Sequence, residues 1–217
     1  MDGVSDAVLA SQAEYYRRRA SEYDATAYGD LPTAQTRIAR LVAEMRPGGK
    51  VLEIACGTGL WTAALAGVAE TVTALDVAPE TVAIARDRIA ADNVRFEVAD
   101  VFSWSTEARF DVVFFSAWLS HVPTDRFEQF WHLLRGLLVE GGRVLFVDEP
   151  VDVRAKETYL PGSDEIVERR LEDGTTHRIV KNFVDPQELE QRLRTLGWLC
   201  RIRRDGDDWI WGEARRA

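Results

Sequence analysis

Lysine is scarce, with three residues against 24 arginines, and the 27 basic residues are outnumbered by 36 acidic ones. A net charge of -9 repels a phosphate backbone unless the cations cluster, so nucleic acid is not the expected partner. Two cysteines, Cys56 and Cys200, can form at most one bridge, and 217 residues bury enough apolar surface without it. A reduced compartment fits. No apolar run reaches the ~18 to 20 residues of a membrane span. Residues 1–10, with Asp2 and Asp6, lack the basic stretch and apolar core of a secretory leader, so a cytoplasmic location is expected. With no internal repeat and no low-complexity linker, residues 1–217 read as one domain.

Residues 1–45 read as a helical cover bearing Tyr15, Tyr16, Tyr23 and Tyr28 among Arg17, Arg18 and Arg19. From Lys50, short apolar runs alternate with helical stretches: VLEIA, TAALAGVA, VTALD, ETVAIARDRIAA, VRFEVAD, FDVVFFSAW, DRFEQFWHLLRGLLV and GGRVLFVDE. This alternation predicts an α/β fold with five parallel strands and right-handed crossovers. Residues 151–183 carry ERRLEDGTTHRIVKNF, an inserted lid hairpin turning at Asp173-Gly174. Asp185 as N-cap and Pro186 at the first helical position open a helix that Gly197 ends, and WLCRIRRDGDDWIWGEA closes the chain as a second hairpin.

The chemistry concentrates in VLEIACGTG, a strand running into a glycine turn and a helix, where backbone can approach a ligand closely. Asp76, seventeen residues after Gly59, ends the next strand and can accept from both hydroxyls of a ribose. Asp100 ends the strand after that, so Glu53, Asp76 and Asp100 rim one crevice; helix capping is the alternative for the two aspartates. A dinucleotide fingerprint, G-x-G-x-x-G, fails at Thr62. Cys56 at the turn reads as a small residue rather than a nucleophile.

Together, E-x-A-C-G-T-G, the acid of ALD, VAD, FDVVFFSAW and LLVEGGRVLFVDE resemble the class I S-adenosylmethionine-dependent methyltransferases of the small-molecule branch, from about Val51 to Asp148. The resemblance implies a Rossmann-like, seven-stranded, mostly parallel sheet with an antiparallel last strand and helices on both faces. It also implies S-adenosylmethionine as cofactor, with Glu53, Ala55, Gly57 and Gly59 at its amino-acid part. Asp76 and Val77 would meet the ribose, Asp100, Val101 and Phe102 the adenine, and Tyr16 the cofactor's methyl end. Ala55 stands where the family usually has glycine, which a negative φ would tolerate.

Strand four ends in SAWLSHVP, with neither the Asn-Pro-Pro-Tyr of nucleobase amino methylases, nor the Pro-Cys of cytosine C5 methylases, nor the acidic set of metal-assisted catechol methylases. A small-molecule acceptor and no metal are expected. His121 is the candidate general base or acceptor contact, with Tyr28 beside it; His132 reads as a packed or surface residue. If Asp173-Gly174 is a two-residue turn, Arg170 pairs with His177 and Lys181 joins them as a cationic roof. Such a roof selects an anion, a phosphonate or carboxylate, in keeping with a further resemblance to bacterial phosphonate O-methyltransferases of antibiotic biosynthesis. The expected activity is therefore O-methylation in bacterial secondary metabolism. A small-amine N-methyltransferase and a non-catalytic nucleoside-binding protein are the alternatives. Trp209 and Trp211 share one face of the last strand, which favours burial over an edge-to-edge homodimer.

Overall fold

Short helices open the chain: α1 (Asp6–Arg19), α2 (Tyr23–Tyr28) and α3 (Leu31–Met45). The computed structural model describes residues 4–183 and 185–217; residues 1–3, part of the stretch read for a leader, and Val184 lie outside them. The alternation predicted from Lys50 follows as β1 (Lys50–Ile54), α4 (Leu60–Ala66), β2 (Thr71–Asp76), α5 (Pro79–Arg88), β3 (Val94–Val98), β4 (Phe110–Ser116), α6 (Phe127–Leu137) and β5 (Leu138–Asp148). Next come the hairpin β6 (Ile166–Arg170) and β7 (Thr176–Val180), then α7 (Pro186–Thr195), β8 (Trp198–Asp205) and β9 (Trp209–Arg216).

The main sheet has seven strands in the order β3-β2-β1-β4-β5-β9-β8, while β6 and β7 pair separately. β1 to β5 are mutually parallel, and β9 is antiparallel to both β5 and β8. This is the expected Rossmann-like sheet. Its strand order reverses between β1 and β4, so a crevice opens beyond their carboxyl ends.

Apolar residues on both sides of β1 and β4 bury the sheet between two layers. One layer packs α6 and α7 through Phe115, Phe130, Trp131, Leu193 and Trp198. Along α6 the positions Phe127, Phe130, Trp131 and Leu134 keep the helical spacing that makes one apolar stripe. The opposite layer packs α3 and α4 through Ile38, Leu41, Val42, Trp61, Phe114 and Trp211. α3 is therefore core, a correction to the reading of residues 1–45 as cover; only α1 and α2 lie across the strand ends. Asp185 caps α7 as expected, accepting from Gln187 N and Glu188 N at 2.9 Å each.

The lid hairpin turns differently from the sequence expectation. Leu171 N donates to Thr175 O, and Asp173 Oδ1 accepts from Thr175 N, so the loop holds three residues, not two. Arg169 consequently faces His177, and Arg170 faces Thr176. A one-residue slip exchanges the faces of a strand, and here it brings Arg169 inward in place of Arg170.

Candidate functional site

Two adjoining cavities occupy the crevice at the switch point. The first, about 170 Å³, takes its floor from strand ends: Ile54 and Ala55 after β1, Asp76 and Val77 after β2, Asp100 after β3, and Ser116 and Ala117 after β4. Leu9, Gln12, Ala13 and Tyr16 of α1 roof it. The second, about 350 Å³, lies beside it and shares Tyr16, Tyr23, Ser116, Ala117 and His121 as a common wall.

The turn after β1 is held by Asp76. Its Oδ2 accepts from Gly57 N at 2.9 Å, while Oδ1 accepts from Ala78 N at 2.9 Å and Thr81 Oγ1 at 3.2 Å. Burial raises the Asp76 pKa, and these donors oppose the rise. Gly57 has φ +53 and open space where a Cβ would stand, so the cavity reaches its backbone directly. Gly59 serves another purpose. With φ +84, a Cβ there would lie 2.9 Å from Ala85 Cβ, so its bareness lets α4 and α5 pack rather than a ligand approach. Ala55 departs from the negative φ expected of it: at φ +55, and with Ala117 at +46 across the crevice, two non-glycine residues hold left-handed backbone. Each costs about 1–3 kcal/mol, strain that clusters at binding sites.

Glu53 sits behind this turn, outside both cavity walls. Burial pushes its carboxyl pKa up to about 8, and Oε2 has no hydrogen-bond partner. An orphaned buried acceptor beside a bare backbone turn suits the ammonium end of an amino-acid ligand. On the far side Asp100, whose Oδ1 accepts from Phe102 N at 3.0 Å, and the side chains of Val77, Val101 and Phe102 form a rim suited to a nucleoside. The residues present thus fit an amino-acid nucleoside. Among the described residues no cluster of His, Cys, Asp and Glu could hold a metal ion.

The second cavity is built from charge pairs. Lys181, 2% exposed, donates to Ser120 Oγ at 3.1 Å and to Glu149. Arg169 forks onto both oxygens of Glu157, and Arg19 reaches Thr26 Oγ1 at 2.7 Å. All three cations line the cavity, as do Tyr28, Trp61 and Trp209. Arg170 and His177 do not: Arg170 is exposed, and His177 rests on Tyr15 with ring centroids 5.8 Å apart. Asp148, buried next to Lys181, accepts from Ser120 N at 3.1 Å and Glu149 N at 2.8 Å, so it fixes the loop.

His121 stands where the cavities meet. Its Nδ1 lies 2.7 Å from Val180 O, an acceptor, so Nδ1 carries the proton and Nε2 accepts from Tyr16 Oη at 2.8 Å. Burial, then the charges of Lys181 and Arg169, hold its pKa well below the usual value. A neutral ring with both nitrogens engaged is a poorly placed general base, which weakens the role expected for it. Sequence reading missed Arg19, Arg169, Glu149, Glu157, Trp61 and Trp209, none of which sits in a local motif.

A family model described as "Methyltransferase domain" matches residues 51–142. A ubiquinone biosynthesis O-methyltransferase of Xanthomonas campestris pv. campestris (strain B100) is 34% identical over 155 residues, covering 69% of this chain. The chain spans 62% of that relative's length. A protein-L-isoaspartate O-methyltransferase of Picosynechococcus sp. is 29% identical over 187 residues, covering 78% of this chain and 81% of its own. Among solved structures, a DhpI–SAH complex and a DhpI–SAM–HEP complex are each 40% identical, with TM-scores of 0.86. They cover 98% of this chain and 98% and 99% of theirs. The chain belongs to the class I S-adenosylmethionine-dependent methyltransferases.

Proposed function

We propose that this protein transfers a methyl group to an oxygen of a small anionic acceptor, a phosphonate or carboxylate, held in the second cavity. The observation that carries this reading is the set of Lys181, Arg169 and Arg19 on a cavity that shares a wall with the nucleoside cleft. Glu149 and Glu157 each pin one cation by part of its donors, which leaves the remaining N–H groups oriented for an anion. The similarity to the DhpI–SAM–HEP complex supports small-molecule chemistry, and the arginine-rich, lysine-poor composition supports a GC-rich bacterial source.

Asp76 and Val77 would hold the ribose, Gly57 and Glu53 the amino-acid end, and Asp100, Val101 and Phe102 the base. When bound there, S-adenosylmethionine would supply an electrophilic methyl group for an acceptor oxygen. The chain's own residues position and shield. Lys181, Arg169 and Arg19 orient the oxyanion, and an acceptor that arrives ionised needs no base, consistent with the neutral, engaged His121. α1 excludes water: Gln12 Oε1 accepts from Val180 N at 2.9 Å and Ser11 Oγ accepts from Arg178 N at 2.9 Å, which clamps it over the crevice.

The test is radiolabelled methyl transfer to two pools, one of phosphonates and carboxylates, the other of neutral phenols, alcohols and amines. Label in the anionic pool that falls in Lys181→Ala is expected. Label confined to the neutral pool would refute an anionic acceptor.

A further inference from the structure

Helix α2 walls the acceptor cavity without being anchored by its own packing. Four of its six residues, Tyr23, Thr26, Ala27 and Tyr28, line that cavity. Six residues are too few to hold a helix alone, and all six here are half-buried or exposed. Thr26 meets Arg19 of α1, and the rings of Tyr16 and Tyr23 lie 6.3 Å apart between centroids, contacts that join α2 to the other covering helix.

Asp24 instead ties α2 to the turn after β1. Its Oδ1 accepts from Thr58 Oγ1 at 2.5 Å, and its Oδ2 accepts from Arg88 of α5. Arg88 Nη1 also donates to Thr58 O at 2.6 Å, which closes a three-residue ring of bonds. Gly59 makes this ring possible, because Ala85, three residues before Arg88 on α5, occupies the space that a Cβ on Gly59 would need. Thr58 is 2% exposed, so little water competes for its hydroxyl. Asp24, Thr58 and Arg88 line neither cavity. Thr58 nevertheless follows Gly57, whose bare backbone faces the nucleoside cleft.

We infer that Asp24 is a positioning residue that joins the two sites: through Thr58 it sets α2, and with it the wall of the acceptor cavity, from the turn that holds the donor. The inference rests on the donor placement proposed above. A donor that fixes Gly57 and Asp76 steadies Thr58, Thr58 steadies α2, and the acceptor then meets a wall already ordered. By linkage, the acceptor strengthens donor binding by the same factor.

Hydrogen–deuterium exchange over residues 23–28 tests the tie in the full chain, with and without S-adenosylhomocysteine. This ligand carries no sulfonium charge, so attraction between sulfonium and anion does not enter. In wild type and Thr58→Ser, which keeps the hydroxyl, it is expected to slow α2 exchange about tenfold. In Asp24→Ala and Thr58→Val it should still bind by calorimetry while leaving α2 exchange nearly unchanged. Tyr23 also lines the nucleoside cleft, so protection that persists in both variants would reveal a direct contact and overturn the inference. Wild-type exchange that ignores the ligand would overturn it as well. With ethylphosphonate as second ligand, S-adenosylhomocysteine should raise its affinity about tenfold in wild type and about twofold or less in Asp24→Ala. A melting temperature for each variant accompanies these values; lost stability alone would not abolish the ratio, and a ratio retained in Asp24→Ala would contradict the tie. If ethylphosphonate fails to bind wild type while α2 responds as expected, the anionic-acceptor reading fails and the tie stands. If S-adenosylhomocysteine does not bind, the donor placement fails and this inference falls with it.

Discussion

The two cavities share a wall yet are assembled by different rules. The nucleoside cleft draws its floor from residues at or just beyond the ends of strands, Ala55, Asp76, Asp100 and Ala117, so sheet topology alone brings them together. The acceptor cavity collects Arg19, Trp61, Glu149, Arg169, Lys181 and Trp209 from elements scattered along the chain. Backbone geometry and carboxylates dominate in the cleft, while paired charges and aromatic rings dominate in the cavity. A donor site inherited with the fold can therefore stay constant while the acceptor site changes by substitutions that never touch the strand ends.

Removing a cation from the acceptor side should separate the two most sharply. Lys181→Gln leaves Glu149 without its partner and an incoming anion with fewer charge-assisted bonds, so kcat/KM for an anionic acceptor is expected to fall about 100-fold. Affinity for S-adenosylmethionine, measured by calorimetry, should change by about twofold or less. The reverse experiment is Asp76→Ala, which removes the proposed ribose contact and frees the Gly57 turn. Donor binding should weaken at least about tenfold, roughly 1.4 kcal/mol, and an unchanged Kd would remove Asp76 from the ribose.

Within the cleft, the two glycines should part company. Gly59→Ala presses a methyl onto Ala85 and is expected to cost about 1–3 kcal/mol in denaturant unfolding. Gly57→Ala fills open space at the cavity and should show instead as weaker donor binding.

The smallest effects are in pH dependence, and they have opposite signs. Glu53 has its folded pKa raised from 4.5 to about 8, so its stabilising contribution is complete below pH 4.5 and is lost as pH rises through 8. Glu53→Gln should then gain several degrees in melting temperature over wild type at pH 8.5 and little at pH 4.5. The His121 pKa is depressed below 6.5, so its contribution is complete above pH 6.5 and is lost as pH falls. His121→Gln should lose stability less steeply than wild type between pH 6.5 and 5.

The same contrast explains what the sequence could disclose. Strand-ending acids and a glycine turn repeat at fixed positions relative to hydrophobic runs, so Gly57, Asp76, Val77, Asp100, Val101 and Phe102 could be read as cavity lining directly. Ala55 lines the cleft, but its positive φ depends on the turn that Asp76 holds and has no local signature. In the hairpin, Asp173-Gly174 marks a turn without fixing its length; one additional loop residue exchanged Arg170 for Arg169. Lys181 follows from strand alternation, which puts it on the face of Ile179 whatever the length of the turn. Arg19, Trp61 and Trp209 come to line one cavity only when α1, α4 and β9 meet at the carboxyl end of the parallel strands.

The most direct measurement is a crystal structure with S-adenosylhomocysteine and ethylphosphonate. The expected result is the phosphonate between Lys181 Nζ and the Arg169 guanidinium, with one oxygen directed past Tyr16 and His121 at the sulfur. A phosphonate bound away from both cations, beneath a correctly seated nucleoside, would contradict the anionic acceptor site while leaving the methyltransferase fold intact.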